Sequence, residues 1–170
     1  MPIDKCERSF ADLAAEVLPK YMEDIRGAMQ NVRPLSEFCT RSVGVKTIVK
    51  WLGKQDDFSG CYVLLHDDKP FYVGISRRVV ARLRQHGSGT THSDASLAYS
   101  MAREKVAHKV TRTAAMKNPL FKQAFEEAKQ LLNSCTVAFV EIENPLELYL
   151  FEAYCAMSFD TCKWNTFRTH

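Results

Sequence analysis

The chain has 170 residues, of which 46% are hydrophobic and 25% are charged, and its formal net charge is +3. This size and composition suit one soluble globular domain with room for an appendage. No apolar run reaches about 18 residues and the first residues lack the apolar core of a signal peptide, so we expect a cytoplasmic protein and no membrane partner.

The positive charge is concentrated in the middle of the chain. Residues 41 to 112 hold 13 Lys and Arg against 6 Asp and Glu, whereas residues 1 to 40 and 113 to 170 each hold 5 against 7. The middle segment therefore carries +7 and each flank carries −2. A local excess of this kind raises the concentration of polyanions nearby, as is expected of a protein that acts on nucleic acid.

The N-terminal third has a helical pattern. Apolar residues recur at helical spacing over residues 8 to 30, where Pro19 either kinks the helix or divides it. Residues 35 to 52 favour a second, shorter helical region that ends before Gly53. We therefore predict a helical extension over residues 1–55, which packs against the rest of the protein, contacts DNA or forms a dimer contact.

Two apolar segments then flank the polar run at residues 66 to 70 and predict a β-hairpin. The first segment opens with Gly60-Cys61-Tyr62 and the second closes with Tyr72-Val73-Gly74. The turn lacks an Asn-Gly pair, so its length stays open. Side chains alternate along a strand, which places the middle residues of the two triplets on the side of the sheet opposite the tyrosines. A tyrosine pair alone is more often a packing pair than a catalytic one.

A basic segment at residues 76 to 86 follows the hairpin directly and predicts a helix. Arg78, Arg82 and His86 lie along one face of this helix, because they are four positions apart. Three potentially cationic groups in a row repel one another, so the face is expected to meet an anion such as phosphate. The alternative is an ordinary solvated face.

The rest of the chain predicts a polar loop over residues 87 to 94, a helix that starts there, and a second basic stretch over residues 103 to 117. A further helix starts at Asn118-Pro119 and a strand spans residues 135 to 142. The predicted architecture is α/β of the α+β kind, in which helices cover a small three-stranded sheet made of the hairpin and the later strand.

Residues 144 to 158 predict a helix that is apolar on almost every side, interrupted by Glu147 and Glu152. Glu147 lies in the first turn, where the helix dipole favours an acid and where the carboxylate can stay in water. Glu152 lies mid-helix, where an ionised carboxylate is costly unless it is paired or holds a cation. A buried Arg partner and a divalent metal ion are the two alternatives.

In this order and spacing, these residues resemble the GIY-YIG nuclease family over residues 60–167. In the family's pattern two strand tyrosines and an arginine converge on one phosphate, and a histidine lies one turn beyond the arginine. A later glutamate and asparagine follow. The matching residues here are Tyr62, Tyr72, Arg82, His86, Glu152 and Asn165. Cys61 and Val73 stand where the family has isoleucine.

The resemblance implies a metal-dependent DNA endonuclease domain at residues 56–170, with Glu152 holding one Mg²⁺ or Mn²⁺ ion. It implies that Arg82 binds phosphate oxygens and that Tyr72 orients water or phosphate. It also implies that Tyr62 is the general base, which needs cationic or metal-assisted neighbours, or His86, to take its proton. The two tyrosines could exchange these roles. Further contacts to the DNA are expected from Arg78, Arg84, Lys105, Lys109 and Asn165.

The absence of added repair or homing segments in the sequence favours a restriction-type or defence nuclease over a repair, mobile-element or toxin nuclease. The alternative from another class is a nucleic-acid-binding module of the same fold that has no turnover or needs a partner. Cutting both DNA strands with one active site per chain calls for a homodimer or for two successive encounters.

Overall fold

The computed structural model describes residues 2–167 and has an α+β architecture. The helices are α1 (Phe10–Asp12), α2 (Leu18–Ala28), α3 (Leu35–Cys39), α4 (Val45–Trp51), α5 (Val79–Ser88), α6 (Ser96–Lys105), α7 (Arg112–Ala115), α8 (Pro119–Ser134) and α9 (Pro145–Ser158). The strands are β1 (Arg33–Pro34), β2 (Gly60–His66), β3 (Lys69–Ser76) and β4 (Thr136–Glu141). No helix in this part of the chain has the length and apolar character needed to cross a membrane.

The sheet has four strands in the order β1-β4-β2-β3, and β2 is antiparallel to both β3 and β4. The predicted α+β class is confirmed, as is the joining of the hairpin and the later strand in one sheet. The predicted number of three strands is wrong because β1 adds to the edge next to β4. β1 is short, exposed and contains a proline, which is tolerated at an edge, and so short a segment has no periodicity to read.

The hairpin turn consists of Asp67 and Asp68, whose φ angles are 51° and 59°. Left-handed conformations at both central residues are characteristic of a type I′ turn, which matches the twist of the strands, and aspartate tolerates them better than most residues do. The sequence left the length of this turn open because Asp-Asp is not one of its usual residue pairs. The turn and a register shift after Leu64 fix the pairing of β2 with β3.

The chain divides into two compact units. The first contains the described residues up to Arg33, then Asp56–Val79, and then the described residues from Thr136 onward. The second contains Pro34–Gln55 and Val80–Cys135. The predicted boundary between residues 55 and 56 is one of the unit boundaries, but the extension predicted over residues 1–55 is itself divided between the two units.

The core of the first unit lies between one face of the sheet and the helices α2 and α9. The strands contribute Cys61, Val63, Leu65, Val73 and Ala138, and the helices contribute Leu18, Met22, Ile25, Leu148, Phe151 and Cys155. Burying a large aliphatic or aromatic side chain contributes about 1.5–3 kcal/mol, so α2 is an integral part of this core. Of the alternatives for the N-terminal helix, packing against the sheet is therefore the one observed.

The second unit is helical, and its α6 and α3 both pack against α8. α8 starts as the sequence predicts: the Asn118 side-chain oxygen accepts hydrogen bonds from the backbone N–H groups of Leu120 and Phe121, and Pro119 occupies the first turn. The buried face of α8 includes Phe121 and Phe125. The predicted helical region at residues 35 to 52 is present as the separate helices α3 and α4.

Candidate active site

Tyr62 and Tyr72 lie on the same face of the sheet on adjacent strands. The register pairs Tyr62 with Gly74, two positions along β3 from Tyr72, so the tyrosines are diagonal neighbours. Their ring centroids are 6.3 Å apart with an interplanar angle of 51°. Tyr62 is 1% exposed, whereas Tyr72 is half-buried. Cys61 and Val73 belong to the core on the opposite face, as predicted.

Gly74 makes room for the ring of Tyr62. A Cβ atom at position 74 would lie 2.4 Å from both Cζ and Oη of Tyr62, which is far inside van der Waals contact. Gly60 is constrained by the backbone, because a Cβ atom there would lie 2.2 Å from the carbonyl oxygen of Val140. A glycine inside a strand often marks such a close approach, so the sequence carried this signal without showing what approaches.

Asn165 is bound to the backbone of the edge strand β3. Its Oδ1 accepts a hydrogen bond of 2.9 Å from the Val73 N–H, and its Nδ2 donates one of 2.7 Å to the Val73 carbonyl oxygen. An edge strand has backbone groups that no neighbouring strand pairs, and the side-chain amide of Asn165 satisfies two of them. Asn165 therefore holds the segment after α9 against β3, and its contact with DNA stays a prediction.

Arg82 lies on α5 and is held by the loop that precedes α6. Its Nη1 donates to the Asp94 carbonyl oxygen at 2.7 Å and to Gln85 Oε1 at 3.2 Å, and its Nη2 donates to Ser96 Oγ at 2.7 Å. A guanidinium has five N–H donors, so these bonds orient the group and leave donors for a further acceptor. Asp94 and Ser96 are positioning residues that the sequence pattern did not single out.

His86 is completely buried, and burial lowers the pKa of its imidazole from 6.5 to about 3, with a smaller effect from the nearby charge of Arg82. Arg78, by contrast, precedes α5 and is exposed. Of the three potentially cationic residues, Arg82 and His86 thus lie on α5 and Arg78 precedes it, and the lowered pKa of His86 disfavours its charged form near pH 7. Protonating it there costs about 5 kcal/mol, so His86 is suited to a hydrogen bond rather than to holding a proton.

Arg84 points to the end of α3. Its Nη1 donates to the carbonyl oxygens of Phe38 at 3.4 Å and Thr40 at 3.1 Å, and it also donates to the carbonyl oxygen of Val43. Because the last carbonyls of a helix have no partner within the helix, a cationic donor at this place stabilises the helix end. Arg84 serves the fold of the second unit, and its predicted contact with DNA stays a prediction.

The other predicted DNA contacts lie at the surface. Lys105 ends α6 and forms an ion pair with Glu127 of α8. Lys109 is exposed in the segment between α6 and α7, and Arg78 is exposed just before α5. Exposed ion pairs contribute little to stability, so Lys105 can exchange its partner at small cost.

Glu152 is half-buried on α9, and burial raises the pKa of its carboxyl group. Within residues 2–167 it has no hydrogen-bond or ion-pair partner, so the buried Arg alternative is not observed. Burial is the largest cause that raises the thiol pKa of Cys61, followed by the neighbouring thiol of Cys155 and then by the charge of Glu152. Cys61 lies on the core face of the sheet, whereas Tyr62 and Tyr72 lie together on the other face.

A single carboxylate is compatible with the metal ion that the family resemblance implies. No three His, Cys, Asp or Glu side chains cluster as a metal site in the described part of the chain. Mg²⁺ commonly keeps several waters and binds through one or two carboxylates together with substrate phosphates. A half-buried carboxylate without a hydrogen-bonded partner in residues 2–167, such as Glu152, fits this kind of site.

Glu147 is the more buried of the two acids on α9, which contradicts the expectation that it stays in water. It is 9% exposed, and its Oε2 accepts a hydrogen bond of 2.6 Å from the Tyr21 hydroxyl group. Burial and this bond raise the pKa of Tyr21 far above its ordinary value. The predicted helix start is confirmed, since the Asn144 side chain accepts hydrogen bonds from the N–H groups of Leu146 and Glu147.

Comparison with known proteins adds no relative. No family model matches the chain, and no curated protein and no solved structure is significantly similar to it. The resemblance to the GIY-YIG family therefore depends on the motif residues themselves.

Proposed function

We propose that this chain is a metal-dependent DNA endonuclease that hydrolyses phosphodiester bonds, of the restriction or defence type. The observation that supports this best is the tyrosine pair, because Tyr62, Tyr72 and Gly74 form one local arrangement in which each residue of the motif has a physical role. Tyr72 is half-buried on the edge strand, so part of its ring is accessible to a ligand from solvent.

Hydrolysis of a phosphodiester needs an oriented water, compensation of charge on the phosphorus and help for the leaving oxygen. We assign the contact with the attacking water to Tyr72, since it is the more exposed of the two tyrosines. Tyr62 then orients the phosphate or its partner tyrosine. Arg82 supplies N–H donors to phosphate oxygens, and His86 acts as a neutral hydrogen-bonding group because of its low pKa.

Glu152 is the residue that would hold one Mg²⁺ or Mn²⁺ ion. When bound, such an ion supplies Lewis-acid stabilisation of the leaving oxygen. The support for this assignment is the chemistry of the carboxylate: it is half-buried, it has no cationic partner in the described residues, and its burial disfavours the charged form unless a cation is present.

The test is a cleavage assay on supercoiled plasmid and on single-stranded DNA with Mg²⁺, Mn²⁺ or EDTA. Wild type should give metal-dependent fragments, and Glu152→Gln should lose them. Glu147→Gln is the matched control, because it changes an acid of the same helix whose role is structural. Metal-dependent cutting that survives in Glu152→Gln would show that another group binds the metal.

The second candidate is a nucleic-acid-binding module of the same fold without turnover. The observation that favours it is that α9, which carries Glu152, packs through Leu148, Phe151 and Cys155 on the core face of the sheet, opposite the face that carries the tyrosines. Salt-sensitive DNA binding without cutting under any metal would establish this alternative. In either case we propose a cytoplasmic protein, and as an enzyme it would cut both strands as a homodimer or in two encounters.

A further inference from the structure

A pocket of about 220 Å³ opens at the tip of the hairpin, between the β2–β3 turn and the segment that follows α9. Its lining combines three aromatic rings with two ammonium groups: His66, Phe71, Trp164, Lys69 and Lys163. All of them belong to the first unit. None of these residues belongs to the motif, and the pocket therefore needs its own explanation.

The rings form a partly exposed row. The centroids of Phe71 and Trp164 are 6.0 Å apart with an interplanar angle of 59°, and those of His66 and Phe71 are 6.3 Å apart at 48°. Each of the three side chains is half-buried, so each ring contacts the protein on one part and solvent on another. Such a row offers apolar faces to a flat ligand, which can gain aromatic contact on entering the pocket.

Trp164 is held in place by hydrogen bonds on both sides. Its backbone N–H donates to the Thr161 carbonyl oxygen at 3.1 Å, and the Thr161 hydroxyl group donates to the Ala156 carbonyl oxygen at 3.3 Å. The next residue, Asn165, is fixed to the Val73 backbone by its two amide bonds. The backbone that carries Trp164 is therefore fixed, so a ligand that stacks on this side chain loses little free energy in ordering the segment.

The charge of the pocket favours an anion attached to the flat ligand. The Lys163 Nζ atom lies 4.9 Å from the centroid of the Trp164 ring, and Lys69 is exposed at the rim. Asp160 is the one acid in the lining against these two lysines. Aromatic faces next to ammonium groups are the combination with which proteins bind single-stranded nucleic acid, because the bases stack and the phosphates pair with the cations.

We propose that this pocket is a subsite that stacks one unpaired base of a DNA strand, while Lys69 and Lys163 contact the flanking phosphates. This proposal rests on the proposed function, because it takes DNA as the ligand. It also specifies a substrate that has a single-stranded or unpaired nucleotide. Phe71 directly precedes Tyr72 on the edge strand β3. The pocket and Tyr72 are therefore next to each other along this edge, so one bound DNA strand can contact both.

The test measures binding in EDTA, so that it does not depend on cleavage. The chain has two tryptophans, Trp51 and Trp164. Trp51 is 55% exposed on α4 in the second unit, so we expect Trp51→Phe to be tolerated. This variant leaves Trp164 as the single tryptophan reporter. Short oligothymidylate should quench this fluorescence, whereas an abasic deoxyribose-phosphate oligomer of the same length and charge should not. Trp164→Leu, made in the wild-type chain and followed by fluorescence anisotropy of labelled oligonucleotide, should weaken oligothymidylate binding roughly tenfold.

Phe167→Leu is the matched control, because Phe167 is an aromatic residue of the same segment that is 58% exposed and lies outside the pocket lining. It should bind as wild type does, and thermal unfolding verifies that all variants are folded. Equal affinity of wild type for the oligothymidylate and for the abasic oligomer, or unchanged binding by Trp164→Leu, would overturn the subsite. Base-dependent binding without any cleavage of plasmid would retain the subsite and reject the nuclease, so the two failures are distinguishable.

Discussion

Lowering the pH should destabilise this protein through His86. The folded protein holds the pKa of this imidazole at about 3, against an ordinary value of 6.5, because the ring is completely buried. As the pH falls below about 6.5, the unfolded chain binds a proton at this site while the folded protein does not, so the free energy of unfolding decreases. The stabilisation is complete above the unfolded pKa and is lost progressively as the pH falls toward 3.

The expected size of the effect follows from linkage. One pKa unit corresponds to about 1.4 kcal/mol, so His86 should account for a loss of about 3 kcal/mol between pH 7 and pH 4. This is a substantial part of the stability of a domain of ordinary size, which is about 5–15 kcal/mol. The assay is urea unfolding followed by circular dichroism across this pH range, for wild type and for His86→Gln.

The difference in unfolding free energy between wild type and His86→Gln should change with pH, since the variant lacks the titrating group. Arg82→Gln should keep most of the pH dependence, because burial is the larger cause of the shift and the charge of Arg82 the smaller one. A difference between wild type and His86→Gln that is constant from pH 7 to pH 4 would refute the reasoning.

Two further substitutions test the packing of the first unit. Gly74→Ala should destabilise the protein by about 1–3 kcal/mol and displace the Tyr62 ring. The control Gly27→Ala should be neutral or stabilising, because a Cβ atom there meets no atom within 4 Å. Equal melting temperatures of the two variants would contradict this prediction. Tyr21→Phe should cost about 1–3 kcal/mol in chemical denaturation, because it leaves the buried carboxylate of Glu147 without its hydroxyl donor, and an unchanged midpoint would show that water replaces that donor.

The sequence by itself determined the features that depend on neighbouring residues. Apolar segments on either side of a polar run predicted the hairpin, and a compact apolar segment predicted the later strand. The asparagine-proline pairs at Asn118 and Asn144 predicted where α8 and α9 start. A helix cap and a strand pattern use residues only a few positions apart, so they can be read locally. Because side chains alternate along a strand, the sequence also predicted that Cys61 and Val73 lie on the face opposite Tyr62 and Tyr72.

Only the tertiary structure decided which polar groups are buried and what they contact. Glu147 accepts a hydrogen bond from Tyr21 of α2, Arg84 donates to a carbonyl oxygen at the end of α3, and Asn165 binds the backbone of Val73. Each of these contacts joins residues that are far apart in the chain. Helical or strand periodicity cannot predict such partners, because it indicates which residues share a face and not which element covers that face.

The same limit explains why the sequence did not predict the burial and the partners of His86 and Glu152, two polar residues of the candidate site. His86 continues a helical row of cationic residues in the sequence, yet complete burial makes it neutral. Glu152 looks like Glu147 in the sequence, yet it is the acid without a hydrogen-bonded partner in the described residues. Solvation decides the charge state of an ionisable group, and solvation is set by the packing of elements that are distant in the chain.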